Sequence, residues 1–546
     1  MPSFAGSAGS GLEYLRGNLN ATIGRIDVTD PAYGAVGDGV TDDSAAFAAA
    51  ATAAKVAGRT MPLSLCGDAA GSVTIYVPPG DYLITNPGAM LGDETMSAKV
   101  NGLAWEGAGP TISNIVFQPA TAGTLCTNDY WLGLRFSNLG FWAATAGSTF
   151  LFTNTTHAAQ RYHFHNCFFK AWKYVCRLEG SNNNSEYAFF NCHSANTEAT
   201  GAFFYVGTSN TSDQFLNYWF YGCTHWSTSA PFIDAAKGGN FHIFGLDVSD
   251  YGTALAAFGP VFALRGTSHS QGVCTFNAHS VRVEAKNVDA ALLYSEWPQG
   301  SVAFHSVDWT SQVGGYTYNN IISIKYVNVS GPTYAFRDST LAGGVLVEFA
   351  STDWQSLKRI VFQDCTWKQK NSPSDVVTYT LPGTNPGATP PVEFRGCRGV
   401  DRMDTQSDVA PAAVWDATIG YRGQELQSIT RRTVSARYAA GVPSNGQTPR
   451  LILPVGAIIT AVEVLAPAGG SAEGDGGSWA LATTEVSPTT ISTLTVSGAM
   501  SAGFRVLNDL TTPFYCDTVL KATVEWTPTN VSATNSRALL MIHGYW

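Results

Sequence analysis

The sequence predicts an all-β chain: a right-handed parallel β-helix with an N-terminal capping helix and a C-terminal β-sandwich. Three observations carry this. Ten short segments share the form Phe-x-(Asn/Asp/Gly)-(Cys/Leu/small), from RFSNLGF at Arg135 to FRGCRG at Phe394. With Leu139, Cys167, Cys192, Cys223, Leu246, Ser280, Val307, Ser339, Cys365 and Cys397 as one column, neighbours lie 23 to 34 residues apart. Phe sits three places earlier in eight of the ten; Ile243 and Asn277 are the exceptions. A second set of apolar runs (YVCRLEG, AFFYVG, PFIDAA, VFALRG, LLYSEW, IISIKYV) closes once per period. No long amphipathic helix separates the runs, which excludes helical and leucine-rich repeats.

Each part of the period has a physical role. The Phe and the column residue are apolar or small, so both stack inside. The Asn, Asp or Gly just before the column suits a tight bend, because these residues tolerate left-handed backbone. Alternation along YVCRLEG sends Cys176 and Leu178 inward and Arg177 and Glu179 outward. The same phase puts Arg265, Tyr294 and Glu296 outside, and an interior-looking place falls to Asp234.

The chain divides in order. Residues 1–26 read as a neck or linker. Residues 27–84 read as the N-terminal cap, with Asp42 and Asp43 starting an Ala-rich helix over 44–57 that Gly58 stops. The β-helix takes 85–400, with an excursion at 371–391. A polar connection, 401–430, leads to short strands over 431–546 with the spacing of a sandwich.

Composition narrows the partners. Charged residues are 13% of 546, about half the usual share of roughly 25%, which suits large subunit contacts. The net charge of −10 argues against nucleic acid. The opening MPSFAGSAGSGLEYLRGN lacks the apolar core of a signal peptide, and no run of 18 apolar residues predicts membrane insertion. Cysteines on the interior column are expected to be free thiols acting as small buried hydrophobes.

The run Tyr33-Gly-Ala-Val-Gly-Asp-Gly-Val-Thr-Asp-Asp43, the short helix after it and IYVPPGDYLI resemble the opening of the pectate-lyase-like superfamily. The variant is that of bacteriophage tailspikes and polysaccharide depolymerases. The resemblance implies a homotrimer on a phage tail or baseplate that cuts a bacterial surface polysaccharide, O-antigen or capsule, without a cofactor. A lyase, or an adhesin that binds glycan without cutting, stays open beside the hydrolase.

No Gly-x-Ser-x-Gly elbow, P-loop or HExxH is present, and the polygalacturonase pattern is not matched. Catalytic residues therefore have to come from stacking. The place after the column faces outward and holds Asp247, Val281 and Asp308 on successive coils. The two aspartates should stand about 9.6 Å apart, two coils at ~4.8 Å each. Glu284 and Asp250 lie further along the same face. These four, with Glu296 on the other column, are the candidate catalytic carboxylates. The bland alternative is a solvated strand face. Arg177, Glu179 and Arg265 either bind substrate or pair across coils and subunits. Trp226 and Trp297 follow strand ends and are candidate sugar platforms; Trp309 and Trp367 are expected inside. His163, His165, His193, His225 and His279 lack ligand spacing, so no metal is expected.

Overall fold

The computed structural model describes residues 25–60, 74–91, 103–128, 133–155, 158–180, 183–207, 216–227, 229–252, 259–266, 274–311, 320–326, 331–349, 360–368, 377–380, 392–395 and 397, together with the strands between 431 and 545. The expected neck before residue 25, the connection 401–430 and most of the excursion 371–391 lie outside the described residues. The chain forms two units, one ending near Val327 and including 340–345, the other holding most of the remainder.

The first unit is a parallel β-solenoid with three strand stacks. We call them the first ladder, the second ladder and the third sheet. The first ladder runs through Arg135–Ser137, Ala158–His165, Asn183–Phe190 and Tyr218–Tyr221. The second runs through Gly140–Ala143, Phe168–Lys170, His193–Ala195 and Thr224–Trp226. Both ladders then enter the same three long strands, Gly239–Tyr251, Cys274–Ala285 and Ser301–Ser311. The third sheet stacks Thr149–Thr155, Tyr174–Gly180, Ala202–Val206, Ile233–Ala235, Gly259–Leu264, Ala290–Ser295 and Asn320–Tyr326.

The bend between the ladders is the rung read from the sequence. Asn138, Asn166, Asn191, Gly222, Gly245, Ser280 and Ser306 all have φ between 49° and 72°. Asn carries this strain best among residues with a side chain. Its amide also gains a partner on the next coil: Asn166 Nδ2 donates to Asn138 Oδ1 at 2.8 Å. Inside the bend, Leu139, Cys167, Cys192, Cys223, Leu246 and Val307 are buried. Each described thiol of this column donates to a backbone carbonyl, as Cys167 does to Phe136 at 3.5 Å. All eight described cysteines are free.

One rung of the expected column is corrected. Val281, not Ser280, pairs with Leu246 and Val307. Ser280 is the left-handed bend residue itself, and Ala278 replaces the expected Phe place.

The helix runs Ser44–Thr60, past Gly58, which does not stop it. Asp42 Oδ1 accepts from the Ser44 amide at 3.0 Å, while the Asp43 carboxylate turns back to the amides of Val36 and Gly37. Phe47 stacks on Trp105 at 5.4 Å and leans on Tyr82, which fixes the helix to the first coils.

The second unit repeats the rung. Thr333–Arg337, Ile360–Gln363 and Val392–Arg395 stack in parallel, with bends at Asp338 and Asp364. Its C-terminal part holds two four-stranded antiparallel sheets. No described helix is long and apolar enough to cross a membrane.

Candidate functional site

The corrected rung changes the second-ladder cluster. Asp247 pairs in register with Arg282, and Arg282 with Asp308, so an arginine stands where Val281 was expected. Arg282 Nη1 lies 3.2 Å from Asp247 Oδ1 and 3.4 Å from Oδ2, and Nη2 bonds Glu284. The hydrogen bond to Glu284 stabilises the guanidinium as a cation most, desolvation opposes this, and the Asp247 charge adds to the stabilisation. Asp308 is exposed on the far side of the arginine.

Asp250 sits in a β-bulge. Val248 pairs with Val283 and Tyr251 with Ala285, so Ser249 and Asp250 together face Glu284. Asp250 is left-handed, at φ 59°. The bulge turns its carboxylate toward the Trp226 indole N–H and the Lys286 ammonium. Trp226 remains 52% exposed. The structure thus brings Asp247, Asp250, Glu284, Asp308 and Trp226 together on one face. Arg282 and Lys286 occupy oxygens of the first three carboxylates. This arrangement clamps successive coils and presents one indole ring.

The third sheet carries the other cluster, on the half of its outer face nearest the strand ends. One outward column reads Arg177, Tyr205, Asp234, Ala263, Tyr294, Ser323. The next outward place, two residues on, holds Glu179, Gly207, Ala236, Arg265, Glu296 and Lys325. Continuing the Glu179 column through Val206, Ala235 and Tyr326, as the ends of the apolar runs suggest, is off by one place at each. That slip is why Asp234 looked interior; it faces outward between buried Ile233 and Ala235.

Three carboxylates here are sunk into the surface. The Glu179, Asp234 and Glu296 side chains keep only 17%, 15% and 17% of their exposure. Arg177 grips Glu179 Oε1 through Nε at 2.8 Å and Nη2 at 2.7 Å. Tyr294 donates to Glu296 Oε2 at 3.0 Å, and Lys325 stands 3.9 Å from the same oxygen. Arg265 Nε is 3.4 Å from Asp234 Oδ1 without hydrogen-bond alignment, so that enclosed oxygen has no hydrogen-bond partner among the described residues. Burial raises the Asp234 carboxyl above its ordinary value, and the Arg265 charge offsets part of that rise. Tyr174 and Tyr205 tilt against each other at 5.1 Å and 44° beside these carboxylates.

Other expected residues fall elsewhere. Trp297 is fully buried and cannot stack on a sugar; alternation one place past Glu296 already turns it inward. Trp309 is buried as expected, and the Trp367 side chain lies outside the described residues. His225 is a core residue between Ser194 Oγ at 2.7 Å and the Ala230 carbonyl at 2.9 Å. No group of three His, Cys, Asp or Glu among the described residues could hold a metal ion.

Residues 26–91 match the family described as rhamnogalacturonase A/epimerase, pectate lyase-like. No curated protein sequence matches the chain. Among solved structures, the chain is similar to the A-module of the mannuronan C-5 epimerase AlgE6 of Azotobacter vinelandii. Identity there is 14%, covering 73% of this chain and 100% of that one, with a TM-score of 0.40. It is also similar to the Dettilon tailspike protein, at 9% identity over 96% and 95% of the two chains and a TM-score of 0.32. The enzymatically active domain of tailspike protein 2 of bacteriophage CBA120 is similar at 11% identity, over 95% and 79%, with a TM-score of 0.32. At these scores the structural likenesses carry no argument about chemistry.

Proposed function

We propose that this protein binds a bacterial surface polysaccharide and cuts it internally by hydrolysis, as a trimeric tailspike acting from the phage tail. The observation that supports this best is the set of three carboxylates, Glu179, Asp234 and Glu296, each at most 17% exposed on an outer sheet face. Carboxylates in two different environments are what glycoside hydrolysis requires. On this reading the helix closes one end of the solenoid and the C-terminal sheets join subunits. The second-ladder face of Asp247, Asp250, Glu284, Asp308 and Trp226 holds the chain.

An adhesin is the second reading, favoured by one observation: the second-ladder carboxylates engage cations while Trp226 offers its ring. Incubation with a panel of purified O-antigens and capsules separates the readings. Hydrolysis releases reducing ends without an ultraviolet-absorbing unsaturated uronate. Reducing ends with that absorbance identify a lyase. Tight binding of a glycan that is never cut defeats the enzyme reading.

A further inference from the structure

We propose that the cutting site is a notch on the third sheet, where Asp234 protonates the leaving glycosidic oxygen and Glu179 deprotonates the attacking water. This inference rests on the hydrolase reading above and assigns its acid and base.

The notch is built by small residues. Gly207 and Ala236 follow Glu179 in its outward column and give a floor without side chains of any length. Gly207 is required there: a Cβ would lie 2.7 Å from Glu179 Cγ and 3.2 Å from its Oε1. The Glu179 carboxylate therefore lies over the next coil, leaning toward the coil of Asp234. Gly207 and Asp234 are one coil and two residues apart, since Tyr205 pairs with Asp234. One coil is about 4.8 Å and two residues along a strand about 6.6 Å, so the Cα diagonal from Gly207 to Asp234 is about 8 Å, and the Glu179 carboxylate lies over its Gly207 end. Carboxyls separated by roughly 6.5–9.5 Å leave room for a water and invert the anomeric centre. The Tyr205 ring and the Ala236 methyl flank that diagonal.

The two acids are set differently. Asp234 is enclosed, with one oxygen lacking a hydrogen bond among the described residues, and burial favours its protonated form. Glu179 is gripped by two nitrogens of Arg177. The groups facing the pair are Arg177, Tyr174, Tyr205 and Arg265. Burial raises both tyrosine hydroxyls above their ordinary value, and the Arg177 charge offsets part of that rise.

In the step, the bond between the anomeric carbon and the glycosidic oxygen breaks, and its electron pair goes to that oxygen. The oxygen takes the Asp234 proton. Water adds to the anomeric carbon from the opposite face and gives its proton to Glu179. Solvent then returns both carboxyls to their starting states.

The test uses the full chain and a polysaccharide that the wild type cuts. Asp234→Asn and Glu179→Gln should each keep glycan binding and lower kcat by roughly 10²–10⁴-fold. NMR of the first product should show the inverted anomer. Gly207→Ala should also lower kcat, by displacing Glu179, and serves if Asp234→Asn does not fold. Near-wild-type rates in either amide, or a retained anomer, overturn this site and leave the hydrolase reading standing. A wild type that cuts no glycan it binds overturns both.

Discussion

Two stacks of aromatic rings run side by side up the first ladder, one inside the solenoid and one outside. Inside, Phe164 and Phe189 stack at 4.4 Å and Phe189 and Phe220 at 5.2 Å. Outside, the places one residue later stack as His165, Phe190, Tyr221, Phe244, His279 and His305 at 4.6 to 5.2 Å. Interplanar angles stay below 10° in both. The spacing is set by the coil rise and does not depend on whether water is present. What differs is the free energy that the rings contribute. Stacking also hides ring faces, so the outer column presents edges and is a poor sugar platform. On the third sheet Tyr174 and Tyr205 are tilted instead, and Trp226 on the second ladder stands out alone.

The comparison can be broken by neighbouring substitutions. Phe189→Ala should cost about 3–5 kcal/mol, since it empties a fully buried ring site. Chemical denaturation of the full chain measures it. The next largest effect belongs to the inner side as well. Burial lowers the His225 pKa to about 4 from an ordinary 6.5, with the Ala230 hydrogen bond offsetting part of the shift. The unfolded chain therefore takes up this proton first, and stability falls as pH drops from about 6.5 toward 4. Between wild type and His225→Gln, the stability difference should shift by roughly 3 kcal/mol over that range, against the wild type at acid pH. A constant difference would mean that His225 is not buried neutral.

The smallest effect is on the outside. Phe190→Ala and Phe244→Ala should each cost about 1 kcal/mol, the scale of an aromatic pair with partial burial. If Phe190→Ala matched Phe189→Ala, the outer stack would be covered in the assembled protein, and the two columns would be equivalent after all.

How far the sequence was readable depended on side-chain contrast. The Phe and Cys rungs read correctly because a large ring and a small residue mark each coil. The rung at 278–281 did not, because Ala278 replaces the ring and Ser280, not Asn, takes the left-handed bend. That one-residue slip hid Arg282 between Asp247 and Asp308. On the third sheet the slip came from strands ending in small residues, at Val206-Gly207 and Ala235-Ala236. The alternation Ile233-Asp234-Ala235 carried the missing signal, an acid between two buried neighbours. In the C-terminal unit, strands such as Arg450–Leu453 and Ile458–Leu465 were legible as apolar runs. Arg431–Ala440 and Arg505–Tyr515 were not, since polar residues interrupt them.

The bends hold register while the coils between them differ in length. From Cys223 to Leu246 the chain advances 246 − 223 = 23 residues, and from Leu246 to Val281 it advances 281 − 246 = 35, yet both pairs stack as direct neighbours. Twelve extra residues were absorbed in one turn without moving a rung. Insertions are therefore cheap at the corners and expensive on the strands. On the proposed function, corner segments can be exchanged to recognise a different glycan while the rungs that space the acids stay fixed.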